Sequence, residues 1–235
     1  MLAKKLPETN EERLSILRAI LEQEEINEES DKVLSIVEYH ELRLFTNSFE
    51  ATDSVFNQTL IDRDKAKILY NDLFKNAQLY ISHFIQVLFL TVIRNEIKAE
   101  NLALYGFQDN IAILPDLSTE EAVLQWGENL MRGETERTYR GGIPLYNPAI
   151  AKVKVHYELF KECIYSLVIY EKNLLRMKNS MDEKSYKADE FIMNIWSMVE
   201  EQYSKYSLGV QTSKYRAYRI QFNYRKGDQL NVFDI

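Results

Sequence analysis

Apolar residues recur at helical spacing through most of this chain. The clearest run is 62–97, which contains no Gly or Pro and sets Leu69, Leu73, Ala77, Tyr80, Phe84 and Leu88 along one side of a helix. From Leu79 to Ile93 it becomes apolar nearly all round, broken only by Ser82, His83, Gln86 and Thr91. A helix apolar on every side has to be covered on every side, so this one is expected at the centre of a bundle.

The same periodicity predicts three further long helices. One spans 31–58, capped by Ser30 or Asp31, with Val33, Val37, Leu44, Ala51 and Val55 on its inner side and Phe45, Phe49 and Phe56 widening the stripe. The apolar register weakens over 57–62, which is where a turn is placed. Another helix spans 148–178, opened by Pro148 after an Asn147 cap, and a fourth spans 182–207, opened by Asp182 and ended by Gly209. Leu14, Leu17, Ile20 and Leu21 add a short helix over 11–24.

Two segments break the pattern. Residues 98–147 hold five of the seven glycines together with Pro115 and Pro144, and read as an irregular crossover. Within it, Ser118–Glu121 has the form of a capping box and opens a helix through Val123, Leu124, Leu130 and Met131, while 110–114 is a candidate strand. In the tail, Tyr218, Ile220, Phe222 and Tyr224 alternate with polar residues, and a Lys226–Asp228 turn followed by Leu230, Val232 and Phe233 makes 214–233 a predicted β-hairpin. The expected fold is therefore mainly α. It is a single domain over 1–235, an up-and-down four-helix bundle with a short N-terminal helix, an irregular crossover insertion and a small C-terminal β-hairpin. His40–Phe45 (HELRLF) and His156–Phe160 (HYELF) are loosely alike, which suggests an internal duplication.

Composition sharpens this picture in three ways. Only 7 Gly and 4 Pro among 235 residues favours long helices over turn-rich β structure. A net charge of −7 gives no global electrostatic footprint for nucleic acid, and residues 8–31 alone, with their run of glutamates against Arg13 and Arg18, carry an acidic surplus equal to that of the whole chain. The single cysteine, Cys163, excludes an internal disulfide framework and fits a reducing compartment. No apolar run follows Lys4 and Lys5, and the 79–93 stretch is short for a membrane span, so the expected location is the cytoplasm with no membrane partner.

Candidate chemistry is sparse. His40, His83 and His156 fall on three different predicted helices, and with both hairpin turns at one end of the bundle they would lie at one level, where they could ligate a metal or haem. None has a Glu three residues before it, as carboxylate-bridged di-iron bundles require, and hydrogen-bonded core histidines are the simpler reading, so no cofactor is assigned. The tail interleaves Lys214, Arg216, Arg219, Arg225 and Lys226 with Tyr215, Tyr218, Phe222 and Tyr224, a composition suited to single-stranded nucleic acid but equally to a packed hairpin. In the crossover, Thr138–Tyr146 pairs Arg140, which could hold an anion, with Gly141–Gly142 and Tyr146, while Trp126, Phe107 and Tyr105 could anchor a lid. No phosphate-loop pattern or nucleophile elbow is present, and Cys163 sits in an apolar stretch where a thiol is usually inert. The reading is a non-enzymatic interaction or scaffolding protein, self-associating or docking a partner protein through 98–147 and the tail. Metal or haem binding, and nucleic-acid binding by the tail, are the alternatives.

Overall fold

A computed structural model describes residues 3–107 and 113–223. It is mainly helical. The helices are α1 (Asn10–Ile26), α2 (Ile36–Ile93), a 3₁₀ helix (Ala99–Tyr105), α3 (Glu120–Tyr139), α4 (Ile150–Tyr203) and α5 (Leu208–Ala217). Strands β1 (Ala3–Lys4) and β2 (Phe222–Asn223), two residues each, pair antiparallel.

The four expected long helices are two. Residues 57–62 and 178–182 do not turn, so the up-and-down four-helix arrangement with its two hairpins is not formed. Neither stretch contains Gly or Pro, and Thr52 and Thr59 return their hydroxyls to the carbonyls of Ser48 and Val55 inside the helix (2.9 and 2.8 Å). With no breaker, propagation continues. The weakened apolar register has another cause: α2 has no core residue between Phe49 and Ala77, and α4 has none between Cys163 and Met181.

Two compact units account for this gap, one formed by Met1–Thr59 with Leu174–Ile235 and the other by Leu60–Asn173. In the first, α1 begins at a Thr9–Glu12 capping box and buries Leu14, Leu17 and Ile20 against Leu42 and Phe49 of α2 and Ile192, Trp196 and Val199 of α4. Arg13 grips both carboxylate oxygens of Asp189 (2.8 and 2.9 Å), and the Trp196 indole donates to the Tyr218 carbonyl (2.9 Å). The predicted tail hairpin is not supported: residues up to Ala217 belong to α5, Phe222–Asn223 pair with β1, and 224–235 lie outside the described residues.

In the second unit, Ile81, Phe84, Ile85 and Leu88 of α2 pack with Val123 and Leu130 of α3, Val153 and Phe160 of α4, and Leu102 and Tyr105 of the 3₁₀ helix. The 79–93 run is not enclosed on every side, since Leu79, Leu90 and Ile93 are exposed. By composition α2 would pass for a membrane span, but its most apolar face forms this core. Two glycines read above as loop markers are instead packing residues within α3. A Cβ on Gly127 would meet the Tyr157 ring at 2.3 Å, and one on Gly133 would meet the Tyr105 ring at 2.6 Å. The α3 cap is Thr119, one residue beyond the expected Ser118, and most of the candidate strand at 110–114 falls outside the described residues.

The two units follow one plan: a short helix, a connector, the first part of one long helix, the last part of the other, and a short closing helix. Buried positions recur at a constant spacing of about 110 residues. In α2 and α4, Leu42, Phe49, Ala77, Ile81, Ile85 and Leu88 correspond to Val153, Phe160, Ala188, Ile192, Trp196 and Val199. In α1 and α3, the caps Thr9 and Thr119, the core residues Ile20 and Leu130, and the buried Glu24 and Glu134 correspond, at one residue less. This register, not the HELRLF–HYELF match, is the one burial supports.

Candidate functional site

Each unit carries one buried carboxylate near the end of its short helix, and both are held in the same way. Glu134 is 1% exposed and accepts from the Tyr105 hydroxyl, from Arg137 (2.9 Å) and from the backbone N–H of Leu145 (2.9 Å). Arg137, one turn on, also donates to the Tyr105 oxygen (2.7 Å) and to the Ile143 carbonyl (2.8 Å). In the first unit Glu24, 2% exposed, accepts from the Tyr218 hydroxyl and from the N–H groups of Val33 (3.2 Å) and Leu34 (3.1 Å). Asn27, again one turn on, donates to the Tyr218 oxygen (2.9 Å) and to the Asp31 carbonyl (3.1 Å). A buried carboxylate is tolerated when its lone pairs are this fully used.

Burial, and then the bond to Glu134, push the Tyr105 hydroxyl above the usual tyrosine range. Burial and Glu24 do the same to Tyr218. Burial opposes the charge on Arg137, but its bonds to Tyr105 and Glu134 outweigh this and hold its pKa above the ordinary value. These are locks that fix the connector between short and long helix.

Over the lock of the second unit lies a cleft of about 860 Å³. One wall is the end of α2, where Asn95 takes a left-handed conformation (φ 59°) and the Thr91 carbonyl accepts from the N–H of Glu96 (2.9 Å), turning the chain through Glu96, Ile97 and Lys98. The other wall is the connector. Gly141 ends α3 at φ 89°, and Gly142 passes so near Arg137 that a Cβ would lie 2.6 Å from the guanidinium. The cleft is basic. Arg137 is paired with Glu134 and Arg140 with Glu136 (2.7 Å), whereas the exposed Arg94 and Lys98 have no ion pair among the described residues; Glu96 is the lining carboxylate. Its rim is apolar: Leu90, Ile143 and Tyr146 are all exposed.

The corresponding connector of the first unit borders a cavity of about 580 Å³ lined by Glu24, Glu25 and Glu29, with Lys32 tied to Glu29 (2.6 Å). The two connectors occupy equivalent places and carry opposite charge.

The sequence-derived candidates divide accordingly. Arg140 and Tyr146 line the basic cleft; Trp126 does not, its ring packing on Phe107 (4.8 Å), itself against Phe89 (4.9 Å). In the tail, Tyr218 is buried in its lock, Tyr215 packs on Phe222 (6.0 Å), Arg219 bonds to Ser15, Arg216 is exposed, and Arg225 lies outside the described residues. Tyr215, Tyr218 and Phe222 are thus used for packing rather than offered as a stacking platform. The histidines are not brought together. The hairpin turns from which their common level was counted do not exist; His40 and His83 share α2 but belong to different units, and both are exposed. His156 stacks on Tyr80 (3.9 Å, 12°), at the position where the first unit has Phe45 against Phe191 (4.9 Å). No group of three or more His, Cys, Asp or Glu with metal-holding geometry occurs among the described residues. Cys163 is buried, which pushes its thiol above the usual range.

Comparisons with models of protein families, with curated proteins and with solved structures all return nothing. The cleft and the two locks are therefore the features from which a function can be read. The sequence reading missed both locks, although Glu24 and Glu134 each follow a core residue by one helical turn, which places a carboxylate on an inward face.

Proposed function

We propose that this chain is a non-enzymatic interaction protein whose second unit docks an acidic, partly apolar protein segment in the basic cleft. The observation that carries this reading is the pair of exposed cations Arg94 and Lys98, without an ion pair among the described residues, beside exposed Leu90, Ile143 and Tyr146. Cations supply orientation and on-rate, while the apolar rim supplies area to bury. The Glu134–Arg137–Tyr105 lock holds the cleft's connector in place before any partner arrives, which lowers the ordering cost of binding. Self-association belongs to the same reading: Ile61, Ile68, Val168 and Ile169 add exposed apolar surface along the long helices.

A fluorescent peptide of alternating glutamate and leucine tests the cleft. Anisotropy is expected to report saturable binding that weakens as salt rises and falls about tenfold or more in Arg94→Ala/Lys98→Ala. Equal binding by that variant would refute the cleft as the docking site.

A further inference from the structure

We infer that the occupant of the basic cleft is the acidic end of α1 from a second copy of this chain. The inference rests on the cleft being a docking site and adds the identity of what docks.

Three observations point to α1. The first is charge. The acidic surplus of residues 8–31 equals the net charge of the whole chain, −7, and culminates in Glu22–Glu29. The second is chemical match. Glu22 and Glu28 are exposed and have no ion pair among the described residues, and Ile26 between them is 69% exposed. Two open carboxylates around an exposed isoleucine answer two open cations beside an exposed leucine and tyrosine.

The third is the helix itself. The last turn of α1 has no basic residue and carries Glu24 and Glu25. Acidic side chains at a helix C-terminus oppose the macrodipole, where cations would be favourable. Within the chain Glu24 is compensated by its lock, Glu25 accepts from the Tyr39 hydroxyl (2.6 Å), and Glu29 pairs with Lys32 (2.6 Å). Lys214 bonds the cap residue Asn27 (3.0 Å) and Asp31 (3.3 Å), which leaves Glu22 and Glu28 as the carboxylates that arginine and lysine from another molecule would meet.

The donor and acceptor surfaces are different patches on one chain. Two copies can therefore exchange their α1 ends reciprocally in a closed pair, or successive copies can pass them on in a ring or open chain.

Sedimentation velocity on the full-length chain, over a range of concentrations at about 0.05 M and about 0.5 M salt, tests this. The wild type is expected to form concentration-dependent species larger than the monomer at low salt, and these should dissociate at high salt. Two charge-reversal variants, Arg94→Glu/Lys98→Glu and Glu22→Lys/Glu28→Lys, change only exposed side chains, and circular dichroism verifies their folding. Each alone is expected to be monomeric, because residues 22 and 28 and the residues 94 and 98 they would meet then carry the same sign. Mixed together they should assemble again, since each offers the charge the other needs.

A wild type that stays monomeric at low salt, variants that assemble as the wild type does, or a mixture that does not associate would each overturn the proposal. If the wild type is monomeric yet the glutamate–leucine peptide binds and requires Arg94 and Lys98, the docking site stands and only the second-copy identity falls. If neither assembly nor peptide binding depends on those two residues, both fall together.

Discussion

Replacing Glu134 by glutamine tests whether the lock of the second unit is an electrostatic device or merely a filled space. The side chains are nearly isosteric, so a steric role predicts almost no change. The structure predicts otherwise, because everything that faces Glu134 is a donor: the Tyr105 hydroxyl, two guanidinium nitrogens of Arg137, and the Leu145 N–H. A carboxylate only accepts, whereas the glutamine amide turns an NH₂ group toward these donors and removes the negative charge from an arginine that is 4% exposed. Removing one partner of a buried ion pair destabilises by about 3–5 kcal/mol. At about 2–4 °C per kcal/mol for a chain of this size, the midpoint should fall by about 6–20 °C. Hydrogen exchange should place the loss in α3 and the 140–147 connector, with α1 protected as before. Thermal and urea melts followed by circular dichroism give the magnitude. Replacing both partners, Glu134→Leu with Arg137→Met, should recover part of the loss, because no uncompensated charge is then buried. A shift below about 1 kcal/mol for Glu134→Gln, or a loss spread evenly over both units, would refute the reasoning.

Two further predictions concern the histidine stack and the tyrosine locks. His156→Phe should leave stability unchanged or raise it by up to about 1 kcal/mol, because the ring stacks on Tyr80, its Nδ1 is buried with no hydrogen-bond partner, and the equivalent position 45 is already Phe; a melt shifted downward by several degrees would contradict this. The raised hydroxyl pKa values of Tyr105 and Tyr218 mean that above the usual tyrosine value near 10 the unfolded chain releases protons the folded chain keeps. Their contribution is therefore complete below about pH 10 and is lost as pH rises toward the folded-state values, so helicity should hold to about pH 10 and then fall, with tyrosinate absorbance rising in step. Tyr105→Phe should begin less stable and lose less over the alkaline range; an alkaline slope identical to that of the wild type would remove Tyr105 from the account.

Local structure was legible wherever periodicity and caps agree. The short helix over 11–24 corresponds to α1, the predicted ends near 97 and 207 lie within a few residues of Ile93 and Tyr203, and α3 opens one residue from the expected cap. What failed was the inference from weakening register to a turn. An apolar stripe reports burial, and a helix loses its stripe wherever it leaves a core, whether or not the backbone bends. At 57–62 only the absence of Gly and Pro could have distinguished a bare helix from a turn. Glycines misled in the opposite sense: Gly127 and Gly133 signal close packing against Tyr157 and Tyr105, and composition alone cannot separate that from irregularity.

The duplication was half visible for a related reason. Leu42 corresponds to Val153, Phe45 to His156 and Thr46 to Tyr157, so residue type changes while burial or ring stacking is kept, and a search for shared letters settles on the wrong register. Cores constrain volume and patterning far more than identity, whereas the locks constrain chemistry: a Glu, a residue one turn on that donates to the same tyrosine oxygen, and a tyrosine. Those tyrosines also show how the repeats are combined. Glu24 and Tyr218 come from opposite ends of the chain, while Tyr105 precedes Glu134 and follows the long helix that begins in the other unit. A short helix with its own long helix therefore completes neither core nor lock. Each unit needs the first part of one long helix and the last part of the other, and a break at 57–62 or 178–182 would separate what both units share. Continuity of α2 between Phe49 and Ala77 and of α4 between Cys163 and Met181, where no residue is fully buried, is therefore a requirement of the interleaved repeats and not an accident of helix propensity.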